Sequence, residues 1–441
     1  MERNKVWTHL QSYRGIIAVG TALRLALFLG ASSLCHALER RPELSTPLTS
    51  IRSLKEGVYI HERGTNPYDG GVFYHSPIYL AALTYIISAS SHFFTAITWT
   101  IADVASSIAL INVWRSRSGV SNQKRECLIT ALYLFNPYTL LSCLARSTTS
   151  LDNAILLNAI ASAANGQALP ATILLSLATH TSLYPLLLLP PLVMLLEQTK
   201  KSRQKSSVYS TLITFITCFA ALAGLNILMA DYSWIGQTWG VIINVTDLTP
   251  NVGMWWYFFT EMFDHFRTFF LGVFQLHNLI YVAPICLRLS DDPLLAILVL
   301  VGIMGTWKSY PTLGDMALWA GLLGCFPEIV SNLRHPLFTL TVHLYTSILL
   351  PLLHSLWLLT GTGNANFFYA ATMVYGLNAS LAVVDVMGAG LRVKVKRDAT
   401  EMFLKEDIQN DQTQEATNLE VIDKLWEGKG WSVVQFTGSL F

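Results

Sequence analysis

Charge is what this sequence has least of. Lys, Arg, Asp and Glu make up 13% of its 441 residues, against about a quarter in soluble globular domains. That is too little to coat a soluble surface. The net charge of +1 points to neither nucleic acid nor a strongly acidic partner. The six cysteines (Cys35, Cys127, Cys143, Cys218, Cys286, Cys325) show neither metal-ligand spacing nor a disulfide framework. They lie within or beside apolar segments and read as small packing residues. The chain also has no phosphate-cradling glycine loop, no Gly-x-Ser-x-Gly elbow and no His-Glu-x-x-His helix. The acids Glu39, Glu43, Glu56, Glu62 and Asp69 are never adjacent or one residue apart, as a paired carboxylate would be. Thus no residue stands out as catalytic, and no cofactor or metal is implied. The basic N-terminus precedes an apolar run without a convincing cleavage site, so that run reads as a retained span.

What the chain has in abundance is continuous apolar sequence. Gly15 to Leu38, Tyr209 to Ala230, Pro336 to Leu359 and Phe367 to Leu391 are each long enough to cross the ~30 Å hydrocarbon layer. In that solvent the backbone must satisfy its own hydrogen bonds, which selects helices. The runs do not alternate, which excludes a barrel. The fold class is therefore all-α: a polytopic transmembrane helical bundle of about 12 membrane helices, short broken ones included.

Cationic residues gather at Arg3, Lys5 and Arg14; at Arg115, Arg117, Lys124 and Arg125; at Lys200, Lys201, Arg203 and Lys205; and at Arg392, Lys394, Lys396 and Arg397. The positive-inside rule puts all four clusters in the cytosol. An even number of crossings must then separate them. The spans that satisfy this begin with Gly15–Leu38, a half-inserted segment from Pro77 to about Phe93, and a span ending at Trp114. Cys127–Ala145 and Thr149–Ala164 follow. Leu169 to Leu196, broken by Pro185, Pro190 and Pro191, reads as a hairpin of two short helices. Six more spans fall near 208–230, 265–287, 293–307, 315–333, 336–359 and 367–391. Three regions result: a cytosolic N-terminus (1–14), a multi-span domain with lumenal loops (15–391) and a polar cytosolic tail (392–441).

On this topology six polar, motif-like groups share the face opposite the basic clusters. They are Asn66–Gly70 with His75-Ser76-Pro77; Ser147 to Asn153; Ser182 to Pro185; Asp247 to Asn251 running on to Glu261, Asp264 and His265; Lys308 to Asp315; and Asn364 to Tyr369. Each also has a plain structural reading. Asn-Pro and Gly form turns, Trp255 to Phe259 fits an interfacial aromatic belt, and Asn136-Pro137-Tyr138 kinks a helix. Lys308 and Asp315 pair across their turn, and Arg24 and Asp103, the main ionisable residues deep in spans, pair with neighbouring helices. The spacing of Glu261, Asp264 and His265 puts them on one helical face, where hydration or pairing outweighs metal binding.

These stretches, in this order, resemble the PIG-U family, membrane subunits of the glycosylphosphatidylinositol (GPI) transamidase of the endoplasmic reticulum. The likeness rests on Asn66-Pro67-Tyr68 with Phe73 to Pro77, Leu134 to Thr139, Ser182 to Pro185, Asp247 to Phe263, Lys308 to Asp315 and Asn364 to Tyr369. It covers about residues 50 to 390. The resemblance implies a non-catalytic subunit that binds and presents the GPI lipid, while the cysteine nucleophile belongs to a protease-like partner subunit. It also implies other membrane and lumenal subunits as partners, an endoplasmic reticulum membrane location and a lumenal working face with cytosolic termini. Lipid contacts carry over to Asn364, Asn366, Phe367, Phe368 and Tyr369, and also to Asp247, Asn251 and Glu261. Amides such as those of the two asparagines both donate and accept hydrogen bonds. The family is similar in turn to the multi-span GPI mannosyltransferases, which implies a glycosyltransferase-C-like architecture. Those enzymes carry Asp-x-Asp in the first lumenal loop; its absence here argues against the alternative, a lumenal mannosyltransferase using a lipid-linked sugar.

Overall fold

The computed structural model describes residues 12–88, 92–199 and 208–409, with side chains through residue 399. Arg3, Lys5, the 200–205 basic cluster and the tail from 410 onward, read above as cytosolic, lie outside these residues. Among the described residues all regular structure is helical. The first half contains α1 (Tyr13–Gly30), α2 (Ser32–Leu38), α3 (Ile51–Glu62), α4 (Pro77–Ser88), α5 (His92–Ser118), α6 (Gln123–Leu134), α7 (Pro137–Leu144), α8 (Thr149–Ala164), α9 (Ala168–Ser182) and α10 (Leu189–Thr199). The second half contains α11 (Val208–Ala230), α12 (Trp255–Glu261), α13 (Asp264–Leu279), α14 (Val282–Arg288), α15 (Pro293–Trp307), α16 (Leu313–Leu323), α17 (Pro327–Val330), α18 (Pro336–Leu358) and α19 (Ala365–Gln409).

Among the described residues six helical segments are long and apolar enough to cross a membrane: α1, α5, α11, α13 with α14, α18 and α19. The pair α6–α7 makes a seventh, bent by 49°. The bend sits where the sequence predicts a kink. Pro137 has no N–H to continue the helical ladder, and the Asn136 side chain caps the new helix by accepting from the Tyr138 N–H at 2.9 Å. The apolar α4 is shorter than these spans. Its Tyr79 hydroxyl reaches Asp152 (2.7 Å), and His92, just beyond it in the chain, lies 3.3 Å from Arg146. The chain thus returns close to the start of α8 on either side of α4. The proline-marked hairpin is formed by α9, a 3-10 turn at Tyr184–Leu188 and α10.

Burial separates inner from outer helices. In α15, 12 of 15 residues are buried, on every side, so it is the central helix of the bundle. It is about 22 Å long, and being wrapped by protein it need not match the bilayer. By contrast α11 buries only Thr211, Phe215 and Asn226, and the rest of its apolar surface lies on the outside of the bundle. Within the bundle, Arg24 on α1 and Asp103 on α5 are both fully buried and pair at 2.8 Å. Close approach of α1 to α6 is set at Gly20, where an added Cβ would lie 3.1 Å from Leu134. At the basic end, ion pairs tie helix termini together. Arg115 binds Glu126 through two 2.8 Å contacts, Arg117 spans Asp292 and Glu328, and Lys394 and Arg397 share Asp291.

Three sequence expectations are corrected. Glu261, Asp264 and His265 do not share one helix face, because Met262 is extended (φ −82°, ψ 141°) and separates α12 from α13. The span expected over 315–333 is shorter, since α16 stops at Leu323 and Pro327 opens the separate turn α17. The last span does not stop at Leu391: α19 runs without interruption to Gln409.

Candidate functional site

The expected lipid-contact residues sit at the motif end, opposite the ion-paired basic end. There α18 turns back into α19. Gly361 adopts the left-handed region (φ +68°) that suits glycine, and the Gly363 N–H returns to the Leu356 carbonyl at 2.9 Å. Asn364 then opens α19, its side-chain oxygen accepting from the Phe367 N–H at 3.2 Å. Asn364 thus has a structural task, but its amide N–H group is not used by that cap.

Facing this turn is α12 with its preceding loop. Trp256 packs between the two, its ring centroid 6.1 Å from Trp357, 5.9 Å from Phe368 and 5.8 Å from Tyr369. The Tyr257 and Tyr369 rings lie 4.7 Å apart. The Tyr257 hydroxyl donates to the Asn366 side-chain oxygen, and the Tyr369 hydroxyl donates to the Met254 carbonyl (3.1 Å). Desolvation and the neighbouring Glu261 carboxylate hold the Tyr257 phenol above its ordinary pKa, which keeps it a donor. Asn366, Tyr369 and Glu261 therefore meet around one aromatic rim with Trp256 and Tyr257. Phe367 is more than half exposed beside it, whereas Phe368 is fully buried and anchors the rim rather than facing outward.

Asp247 and Asn251 have a different placement. The Asp247 carboxylate accepts from the Thr249 N–H at 2.9 Å, and its carbonyl accepts from the Tyr310 hydroxyl at 2.8 Å. Asn251 is fully buried. It accepts from the Gly253 N–H (2.8 Å) and donates to the Thr249 carbonyl (3.1 Å). Both residues shape the loop that carries α12. Gly253 is needed there because an added Cβ would lie 2.7 Å from the Pro311 ring.

Below the rim a cleft of about 800 Å³ opens on the side of the bundle between α6–α7, α16, α18 and α19. It runs from Leu333 and Pro336 at the basic end to Leu141 and Leu313 at the motif end. Leu141, Leu313 and Tyr138 also belong to the apolar cluster that holds Phe368 and Trp256, so the upper end of the cleft lies directly under the rim. Its lining is mostly apolar. The exceptions include the Tyr138 hydroxyl, hydrogen-bonded to Ser347, and His343, whose Nδ1 meets the Thr339 carbonyl at 2.8 Å, together with Asn136 and, at the basic end, the Asp385 carboxylate, which accepts from the Arg334 and His335 N–H groups at 3.0 and 2.9 Å. Pro137 and the helix break beside it give the cleft one of its walls.

Sequence reasoning missed Trp357 and the cleft. The signals were a tryptophan near the end of a span and a histidine inside an apolar run, neither informative until α18 is placed against α7. Among the described residues no three His, Cys, Asp or Glu side chains are grouped as a metal site, and none of the six cysteines forms a disulfide.

The family model for GPI transamidase subunit PIG-U matches residues 18–375. The GPI-anchor transamidase component PIGU of Mus musculus is 31% identical over 416 residues, covering 86% of this chain and 93% of the mouse protein. The GPI transamidase component GAB1 of Saccharomyces cerevisiae is 33% identical over 393 residues, covering 88% of this chain and 97% of the yeast protein. The Schizosaccharomyces pombe GAB1 homolog is 31% identical over 374 residues, covering 84% of this chain and 91% of its own length. With a match of this extent, spanning both the bent α6–α7 pair and the asparagine-aromatic turn, this chain belongs to the PIG-U family of GPI transamidase subunits.

Proposed function

We propose that this chain is a multi-pass endoplasmic reticulum subunit of a GPI transamidase, and that it holds the GPI lipid for attachment to proteins without performing the chemistry. The carrying observation is the side cleft of about 800 Å³ ending beneath a rim of Asn364, Asn366, Phe367 and Tyr257. Acyl chains would fill the apolar cleft, whose bounding helix α18 is about 35 Å long. The head group would meet the asparagine amides and aromatic edges on the lumenal face, with both termini cytosolic. The relatives' names supply the transamidase context; on this reading the protease-like cysteine nucleophile sits on a partner subunit.

Two acids of the first loop, Glu39 and Glu43, are taken up in ion pairs of the fold, while Glu56, Glu62 and Asp69 are exposed. Glu39 is buried and bound to Arg146 at 2.8 Å, and Glu43 is buried beside Arg41 at 3.3 Å. Burial pushes the Glu43 carboxyl up, against the opposing pull of Arg41. Asp69 closes a turn with Asn66 at 3.1 Å. Neither buried acid is presented to a substrate as a general base.

The test separates recognition from folding. Asn364→Asp with Asn366→Asp keeps the oxygen that caps α19 and the oxygen that accepts from Tyr257. It removes both amide donors and adds charge that repels a lipid phosphate. In cells relying on this copy, surface display of GPI-anchored proteins falls at least about tenfold, the loss expected from one or two charged-group hydrogen bonds. Expression and subunit co-purification remain normal. Unimpaired display at normal expression rejects the lipid-contact assignment.

A further inference from the structure

A second cleft, of about 520 Å³, opens on the side of the bundle between α13–α14, α15 and α19. The wall it shares with the first is α19: Ala382, Asp385 and Val386 face the larger cleft, while Val383, Val384 and Met387 face this one. The larger cleft reaches the rim at the motif end. The second begins about 20 Å from that end, by the rise of α13 between Asp264 and His277. From Ser380 to Leu391 it follows α19 for about 17 Å, roughly half of the ~30 Å hydrocarbon layer. A transmembrane helix would need the full depth; this cleft has the depth of one leaflet.

At its inner end the His277 ring lies against Trp307 and Tyr281, with centroids 4.2 and 5.1 Å apart. The walls are aliphatic, from residues such as Ile285, Val299 and Ile303. The Thr306 and Ser380 hydroxyls are spent within their own helices, donating to the Gly302 carbonyl at 2.9 Å and the Gly376 carbonyl at 3.0 Å. Such walls suit hydrocarbon. Benzene occupies a cavity of ~150 Å³, and on that scale the cleft takes about twenty carbons, the size of one acyl chain. Charge enters at the outer end. Arg288, the last residue of α14, lines the mouth and is exposed. The acids beside it are already taken: Asp291 by Lys394 and Arg397, at 2.7 and 2.8 Å, and Asp292 by Arg117 at 3.0 Å. Among the described residues no carboxylate pairs with Arg288. A second cation borders the mouth, since the Lys394 Nζ lies 3.5 Å from the Arg288 carbonyl.

We infer that this cleft binds an anionic phospholipid from the leaflet at the basic end, with one acyl chain in the cleft and the phosphate on Arg288. The orientation proposed above makes that leaflet cytosolic, but the site and its test do not depend on it. The ligand is a resident lipid of the membrane, held on the opposite face of α19 from the cleft assigned to the GPI lipid.

The full chain, with its co-purifying subunits, is placed in phosphatidylcholine nanodiscs carrying a trace of phosphatidylserine with a diazirine on one acyl chain. A parallel sample carries the same diazirine chain on phosphatidylcholine. After irradiation, adducts are mapped by peptide mass spectrometry, with the outer surface of α11 as the reference for bulk lipid. The serine lipid labels the cleft walls of α14 and α19 about fivefold more than the choline lipid does, the preference that one Arg confers near an anionic surface. On α11 the two lipids label alike. Arg288→Gln removes the preference. Val384→Trp, at an exposed position of the cleft wall, lowers labelling of the cleft by both lipids and leaves that of α11 unchanged. Both substitutions are at exposed positions, so the fold is retained. The Asn364→Asp, Asn366→Asp variant is labelled as wild type is, so failure of the GPI-lipid assignment and failure of this one remain distinguishable. The inference is overturned by equal labelling of the cleft by the two lipids or by a preference that persists in Arg288→Gln. It is also overturned by protection of the wild-type cleft from both lipids, which would identify a partner subunit's helix as the occupant.

Discussion

The two ends of this bundle treat charge and backbone strain in opposite ways. At the basic end, ion pairs such as Arg115–Glu126 and Lys394–Asp291 are partly exposed, and each joins the terminus of one helix to a neighbour. Left-handed backbone there falls on Gly119 and Gly166, where it costs little. At the motif end the pairs are buried, as in Glu39–Arg146, with side-chain exposures of 5% and 2%. All four described non-glycine residues with positive φ, Arg146, Leu183, Asp231 and Val245, lie at that end. Each costs about 1 kcal/mol and persists only because its surroundings hold it. The basic end is built as a clamp for helix ends; the motif end stores strain and buried charge around a rim, the pattern expected of a functional site.

Substitution at Arg146 breaks that contrast most severely. Arg146→Met leaves Glu39 buried with His36, 3.4 Å away, and Lys55, 3.9 Å away, as its remaining partners. Removing one partner of a buried pair costs roughly 3–5 kcal/mol, and the lower figure applies because Lys55 remains. Thermal unfolding in detergent measures it as a large fall in melting temperature; a change of a degree or less would mean the buried pair does not hold the motif end.

A second, smaller effect comes from His75, buried in the first loop with its Nε2–H donating to the Ser50 carbonyl at 3.1 Å. Burial pushes the His75 imidazole down from 6.5 to about 4. With the folded pKa depressed, its contribution is fully present above pH 6.5 and is lost as the pH falls through about 4. The shift corresponds to at most about 3 kcal/mol. His75→Gln keeps a donor for Ser50 but cannot titrate, so its stability should decline less between pH 6.5 and 4 than that of wild type. Parallel pH profiles would show that other groups govern the acid response.

Much of this organisation was legible in the sequence because the membrane imposes few solutions. Continuous apolar runs and clustered Lys and Arg marked the helices and the two ends, and Pro137 and Pro185 marked the broken segments. The Lys308–Asp315 pair followed from spacing within one turn. What remained hidden depends on packing between distant segments. Arg24 and Asp103 were each conspicuous, but that they face each other follows only once α1 lies against α5. Spacing also misled: Glu261, Asp264 and His265 have helical intervals, yet Met262 breaks the helix between them. Of the residues expected to face the lipid, Phe368 and Asn251 are completely buried, because an aromatic or amide in a polar motif shows its chemistry in sequence but not its direction. The two clefts were invisible for the same reason, each being lined from several helices.

The smallest effect belongs to the basic end and tests the comparison from the other side. Lys394 and Arg397 both reach Asp291, at 2.7 and 2.8 Å, and Asp291 is about a third exposed. Burial alone would raise its carboxyl, but the two cations hold it below the ordinary carboxylate value. Because the group is hydrated and Arg397 remains after Lys394→Ala, the substitution should cost less than about 1 kcal/mol. That cost should shrink further in high salt, where exposed pairs are screened. The Arg146→Met loss should persist under the same conditions, since Glu39 is out of reach of solvent ions. Equal salt sensitivity of the two variants would erase the distinction between a hydrated clamp and a buried, strained binding end.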